Sequence, residues 1–227
     1  MATDLAEVPR YTFPDAAHFL KIPPATLRSW ISGRDYETKG GRKRFQGLID
    51  RPDPADSRLS YSNLVEAHVL NALRKAHSVP MHEVRDALVF AQDRFKIKRL
   101  LLSKQLLAAP GSVFLEKVGA LVNIGKRGQT AMREIVETYL ERVEWNSGEF
   151  PSRLYPLIWD GKTETPKVIA ISPRLASGSP FVVSHVIKTS VIADRYYAGE
   201  LPSFLASDYG LDESEIHHAI WYERRAA

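Results

Sequence analysis

Two consecutive prolines, Pro23 and Pro24, sit between apolar residues in the stretch TFPDAAHFLKIPPATLRSWISG, which begins at Thr12. The ring of Pro24 holds Pro23 extended and removes a backbone donor, so no helix runs through this point. Pro24 itself suits the first position of a new helix, where its missing N–H has no intrahelical partner to lose. Upstream, Thr12 with Asp15 three residues later reads as a helix start, and that helix should end near Leu20. Lys21 and Ile22 then form the turn, and Gly33 can stop the second helix. Ala16, Phe19, Leu20, Ile22, Leu27, Trp30 and Ile31 supply a shared core. Two short helices joined this tightly predict a helix-turn-helix whose second helix turns Thr26, Arg28 and Ser29 outward.

The next segment, RDYETKGGRKRFQGLIDRPDPADSRLS, has Gly40 and Gly41 between two strand-like pieces, with three cations directly after them. Arg34, Lys39, Arg42, Lys43 and Arg44 thereby cluster beside the second helix, as in a wing, where a duplex backbone would pass. Ser60 is read as the cap of a helix running to about Ala76. Pro80 opens another in which Met81, Val84, Leu88, Ala91 and Phe95 recur at helical spacing. These elements define a domain over residues 1–95.

Residues 96–166 read as a small α+β module: SVFLEKVGALVNI as a hairpin turning near Lys117 to Gly119, TAMREIVETYLERVEW as a helix leading into a strand, and RLYPLIW as a strand. WDGKTETPK has charge, Gly and Pro but little to bury, and reads as a linker. Residues 167–227 form the last unit, with short strands in VIAISP and PFVV and three helices, about Thr189 to Ala198, Pro202 to Tyr209 and Glu213 to Arg224. Its expected core is Val191, Ile192, Tyr196, Leu205, Leu211, Ile216 and Ile220. The predicted fold class is α+β, mostly helical.

Composition narrows the function. Of 227 residues, 44% are apolar, enough for real cores, and none is cysteine, which excludes disulfides and thiolate sites. No apolar run is long enough to span a bilayer, and MATDLAEVPR does not resemble a signal peptide, so a cytoplasmic protein without membrane contact is expected. No cofactor or metal site is expected: His217 and His218 are adjacent and diverge on a helix, and the other histidines are scattered. GKRGQT at Gly125 lacks the order of a phosphate loop, and no hydrolase or dinucleotide fingerprint occurs, so no enzyme is expected.

The run ATLRSWISG, the basic hairpin with RKRF, and RLSYSNLVEAHVLNALRKAHSVPMHEVRDAL resemble the winged helix-turn-helix domain of the MerR family over roughly residues 11 to 94. Thr26, Leu27, Arg28 and Trp30 correspond to the family pattern, with Ser29 in place of an aromatic residue. The tail resembles a C-terminal domain found in VapB-like antitoxins of toxin–antitoxin systems, whose toxins have PIN-like ribonuclease folds. The resemblance lies in Ile171-Ser172-Pro173-Arg174, Gly178 with Pro180, VIADRYYAGE, and DYGL before a last helix ending in Tyr222 and Glu223. The sequence departs from that pattern at Gly178-Ser179-Pro180 and at His185-Val186-Ile187-Lys188.

Together these resemblances imply an antitoxin that binds operator DNA as a homodimer through Thr26, Arg28, Ser29, Arg34, Lys39, Arg42, Lys43 and Arg44. A cognate PIN-like toxin would be bound through the C-terminal unit, with Arg174, Arg195, Tyr196, Trp221, Tyr222 and Arg224 as the candidate contacts, and Tyr197, Phe204 and Arg225 as further candidates of the same kinds. The alternative is an effector-sensing regulator of the MerR type, not paired with a toxin.

Overall fold

The computed structural model describes residues 4–38, 41–75, 81–96, 99–102, 126–147, 150–156 and 166–224. Its first helix, α1 (Phe13–Leu20), starts where the Thr12 hydroxyl accepts the Asp15 N–H at 3.3 Å and donates to the Asp15 carboxylate at 2.6 Å. Lys21 ends it in the left-handed conformation, φ 53°. The second helix, α2 (Pro24–Ser32), begins on Pro24 and closes with the Gly33 N–H on the Ser29 carbonyl at φ 74°. Ala16, Leu20, Ile22, Leu27 and Trp30 are buried between the two, as their spacing predicts.

The hairpin that follows pairs β1 (Arg34–Thr38) with β2 (Gly41–Phe45) in antiparallel register, from Arg34 opposite Phe45 to Thr38 opposite Gly41. Its return limb rests on the end of α2: the N–H groups of Leu48 and Ile49 both donate to the Trp30 carbonyl, at 2.5 and 3.1 Å. Tyr11 bridges Leu59, which ties the start of the chain to the start of α3 (Tyr61–Lys75). Ser60 caps that helix through a reciprocal pair with Asn63, at 3.1 and 3.2 Å.

Every residue of α3 from Tyr61 to Leu73 is buried, so the helix is the axle of the fold. A helix hidden on all sides has polar residues that must find partners inside. Glu66 meets Arg99 in a two-pronged pair, at 2.9 and 2.6 Å, and Arg99 also reaches Glu7. α4 (Met81–Phe95) lays Val84, Ala87 and Leu88 into the core. The same buried cluster continues past Phe95 to Val136, Tyr139 and Leu140 of α5 (Lys126–Leu140) and on to Leu154 and Ile171. Residues on both sides of the 95/96 line therefore share one core.

His68 lies in the middle of this packing. It is buried against the Tyr139 ring, centroids 4.8 Å apart, and its Nε2 is 3.0 Å from the Tyr139 carbonyl, which makes that nitrogen the donor. Burial pushes its pKa down to about 3, although the hydrogen bond pulls the other way. The folded chain thus keeps a neutral imidazole that the unfolded chain protonates below about 6.5. Stability from this group is fully present above pH 6.5 and is lost as pH falls from there toward 3, at up to about 1.4 kcal/mol per pH unit. His68→Gln is expected to flatten the acid limb of a pH series of denaturant unfolding. Parallel limbs for variant and parent would contradict this.

After α5 the chain forms a small hairpin of β3 (Val143–Trp145) and β4 (Pro151–Leu154), and Leu154 pairs across to Ile171. The last unit has a three-stranded antiparallel sheet, β5 (Ile169–Ala170), β6 (Phe181–Val182) and β7 (Ile187–Lys188), then α6 (Thr189–Tyr197), α7 (Pro202–Tyr209) and α8 (Glu213–Glu223). Asp212 and Glu215 form the expected capping box. Two residues read as core are not: Val191 is 41% and Tyr196 37% exposed, because α6 turns Thr189, Ile192 and Ala193 inward instead. The expected hairpin at Lys117 to Gly119, the GKRGQT start at Gly125, the end of the RLYPLIW strand from 157, residues 159–165 of the linker, and Lys39, Gly40, Pro80 and Arg225 lie outside the described residues.

Candidate nucleic-acid interface

α2 buries Leu27, Trp30 and Ile31, which leaves Ala25, Arg28 and Ser32 on the opposite, exposed side at helical spacing. Arg28 is not free in solvent: its guanidinium stands 5.6 Å from the centre of the Phe13 ring of α1. Thr26 and Ser29 are only half-exposed, and the Thr26 hydroxyl accepts a hydrogen bond from Arg74 at the end of α3, 2.8 Å away. The structure thus brings Arg28 to the surface and turns Thr26 partly toward its neighbours.

The hairpin cations are arranged by the strand period of two. Arg42 and Arg44 lie on one face with Asp35, whose carboxylate they share at 2.8 and 3.7 Å. Both arginines stay well exposed, 70% and 64%, so a pair of this kind contributes little to stability and exchanges readily for a phosphate. Arg44 also donates to the Ser32 carbonyl at 3.1 Å, which docks the hairpin on the end of α2. Arg34 is exposed at the hairpin's base, and Lys43 pairs with Tyr36 in the backbone register.

Between α1 and α2 opens a shallow recess of about 370 Å³, lined by Thr12, Phe13, Arg28, Ser32, Ser57 and Arg58 among others. Arg58 is held there by a multiple hydrogen bond to Asp56, at 2.7 to 3.1 Å. Neither Arg58 nor Arg74 stood out in the sequence. Their only signal would have been the fold, since each is brought to α2 from a later element.

Residues 9–88 match the family model described as "Putative DNA-binding HTH domain". The cationic edge, from Arg28 to Arg44, lies within the matched residues. Over most of its length the chain is also similar to two proteins of Mycobacterium tuberculosis. It is 28% identical to one named "Putative antitoxin VapB45", across 94% of this chain and 93% of that protein. It is 24% identical to "Uncharacterized protein Rv2308", across 95% and 90%. A crystal structure of Rv2018 from the same organism superimposes with a TM-score of 0.66 at 23% identity, covering 94% of this chain and 98% of that one, so the two share a fold.

The C-terminal candidates are placed very differently from one another. Trp221 and Tyr196 are 42% and 37% exposed, and Arg174 and Arg224 are exposed. Tyr222 is fully buried, so it offers no surface to another protein, and its role is internal. Arg195 is committed to Glu200 and Asp208, both at 2.5 Å, and ties α6 to α7. Tyr197 and Phe204, aromatic candidates already in the sequence, are 62% and 57% exposed, and Leu201, which the sequence reading missed, is 68% exposed. Among the described residues no group of His, Asp and Glu could hold a metal ion, and no helix is long and apolar enough to cross a membrane.

Proposed function

We propose that this chain is the antitoxin of a toxin–antitoxin pair and represses its own operon. The observation that carries the reading is the division of one chain into two outward faces of opposite character. The N-terminal domain presents the arginines of α2 and the hairpin, and the C-terminal helices present Tyr197, Leu201 and Phe204. Large exposed apolar side chains are costly on an isolated surface and commonly mark a protein contact. The end-to-end similarity to a protein named an antitoxin supports assigning that contact to a toxin.

In this reading the N-terminal domain is a MerR-like winged helix that works in the cytoplasm. A homodimer meets a pseudo-palindromic operator with matching symmetry. Arg28 enters the major groove and Arg34, Lys39, Arg42, Lys43 and Arg44 grip phosphates, with Thr26 and Ser29 at the groove's edge. The partner is a PIN-like ribonuclease whose acidic metal site would attract a cation. Arg174 and Arg224 are suited to that, whereas Arg195 would first have to leave two carboxylates.

Co-expression with the adjacent open reading frame and purification through a tag on one protein tests the pairing. A stable two-protein complex is expected, and Tyr197→Ala with Leu201→Ala and Phe204→Ala should release the partner while leaving the chain folded. No complex with the parent chain would contradict the toxin pairing and favour the effector-sensing regulator.

A further inference from the structure

The end of α1 is finished by residues some two hundred positions away. The last carbonyls of a helix have no partner within it and must be met from outside. Here the buried Tyr222 hydroxyl of α8 donates to the Phe19 carbonyl at 2.8 Å. The Lys21 ammonium donates to the Tyr222 carbonyl and stands 4.5 Å from the centre of the Tyr222 ring. His18 Nε2 lies 2.9 Å from a Glu223 carboxylate oxygen, and Glu223 accepts the Thr189 hydroxyl through its other oxygen.

Apart from the Thr189 bond, each of these contacts falls on the last turn of α1 or on Lys21, the left-handed residue that ends it. Three residues later α2 begins. The direction in which α2 leaves the turn is therefore set by groups whose other partners sit on α8. A second strut lies nearby: Arg10 donates to the Pro173 carbonyl at 3.1 Å, and Gly178, at φ 81°, leaves room for Arg10 and Tyr11 that a Cβ would fill, with contacts of 2.6 to 2.9 Å.

Charge and burial agree with a fixed joint. Burial pushes the Lys21 ammonium down to about 8, and Glu223 offsets part of that. Burial pushes the Glu223 carboxyl up, but His18, Thr189 and Lys21 more than compensate, and it settles below the usual range. A carboxylate kept ionised by groups from α1 and α6 together holds those two helices at a set distance.

We infer that Tyr222 and Glu223 are positioning residues for DNA recognition, holding the α1–α2 turn so that α2 meets the groove at the correct angle. The inference rests on the DNA-binding reading above. Neither residue touches DNA: both act through His18, Phe19 and Lys21. Base readout depends on orientation, while phosphate attraction does not. Losing the joint therefore costs choice between sequences and spares the salt dependence.

The test compares the full-length parent with Tyr222→Phe, which removes one hydroxyl, and Glu223→Gln, a milder change that keeps the shape. The probes are a duplex taken from upstream of the chain's own reading frame and a scrambled duplex of equal composition. Preference for the first over the second should fall by roughly tenfold in Tyr222→Phe, about what one good base contact contributes. The slope of affinity against salt should stay that of the parent. Amide exchange in the absence of DNA should quicken at Ile22, Thr26 and Leu27, whose N–H groups bond within the turn.

Parent-like preference and parent-like exchange in both variants would overturn the inference. Exchange that quickens in a chain whose parent binds neither duplex would confirm the joint, and would overturn both its use in recognition and the DNA-binding reading. If Tyr222→Phe does not fold, Glu223→Gln decides by the same two measurements.

Discussion

Gly47→Ala is expected to destabilise the chain by roughly 1–3 kcal/mol, the range for overpacking a close-packed site. A Cβ at Gly47 would stand 2.2 Å from the Ile31 carbonyl oxygen, 2.9 Å from its carbon and 3.2 Å from the Trp30 oxygen. All three atoms are backbone at the end of α2, where Trp30 is buried. The constraint is close approach, not an unusual φ. Arg85 of α4 donates to the carbonyls of Gln46 and Gly47, so any shift of the return limb also disturbs these bonds. The limb would have to lift, taking with it the Leu48 and Ile49 hydrogen bonds to Trp30. Denaturant unfolding should show a lower midpoint with an unchanged slope, and a parent-like midpoint would contradict this packing. Because the same limb aims the hairpin, what remains folded should bind all duplexes more weakly.

The second large effect is electrostatic. Arg42→Ala with Arg44→Ala should weaken binding to every duplex alike, by at least about tenfold at moderate salt, and should reduce the slope of log affinity against log salt by about 0.9 for each cation lost. Arg28→Ala should behave differently and relax the choice at one base position. Asp35 acts in the opposite direction. Its carboxylate lies between the two hairpin arginines and competes with phosphate for them, so Asp35→Asn should tighten binding. Titrations of one duplex over a salt series separate these outcomes, and equal slopes for the double variant and the parent would remove the hairpin from the interface.

The local punctuation of the first helices was legible because it is local chemistry. Thr12, Pro24 and Gly33 act within four residues of themselves, and the observed bounds of α1 and α2 follow from them. α3 was legible in place but not in depth. Asn63, Glu66, His68 and Asn71 break any apolar period, and the first three are met inside by Asp50, Arg99 and Tyr139, which arrive from elsewhere. Tyr222 was misjudged for the same reason. An aromatic residue near the end of an amphipathic helix suits an interface, and the interface proved to be with α1, 203 positions earlier. In the candidate site, Arg28, Arg42 and Arg44 could be chosen from sequence as cations beside a turn. Their tethers to Phe13, Asp35 and the Ser32 carbonyl, and the entry of Arg58 and Arg74, are products of folding.

The central claim, that the N-terminal edge binds duplex DNA and chooses among sequences, is tested most directly by one titration. The intact chain is added, across a salt series, to the duplex from upstream of its own reading frame and to a scrambled duplex of the same composition. The predicted result is tighter binding of the first at every salt concentration, with both affinities falling steeply as salt rises. Two lines that coincide, or that do not fall with salt, would contradict the account.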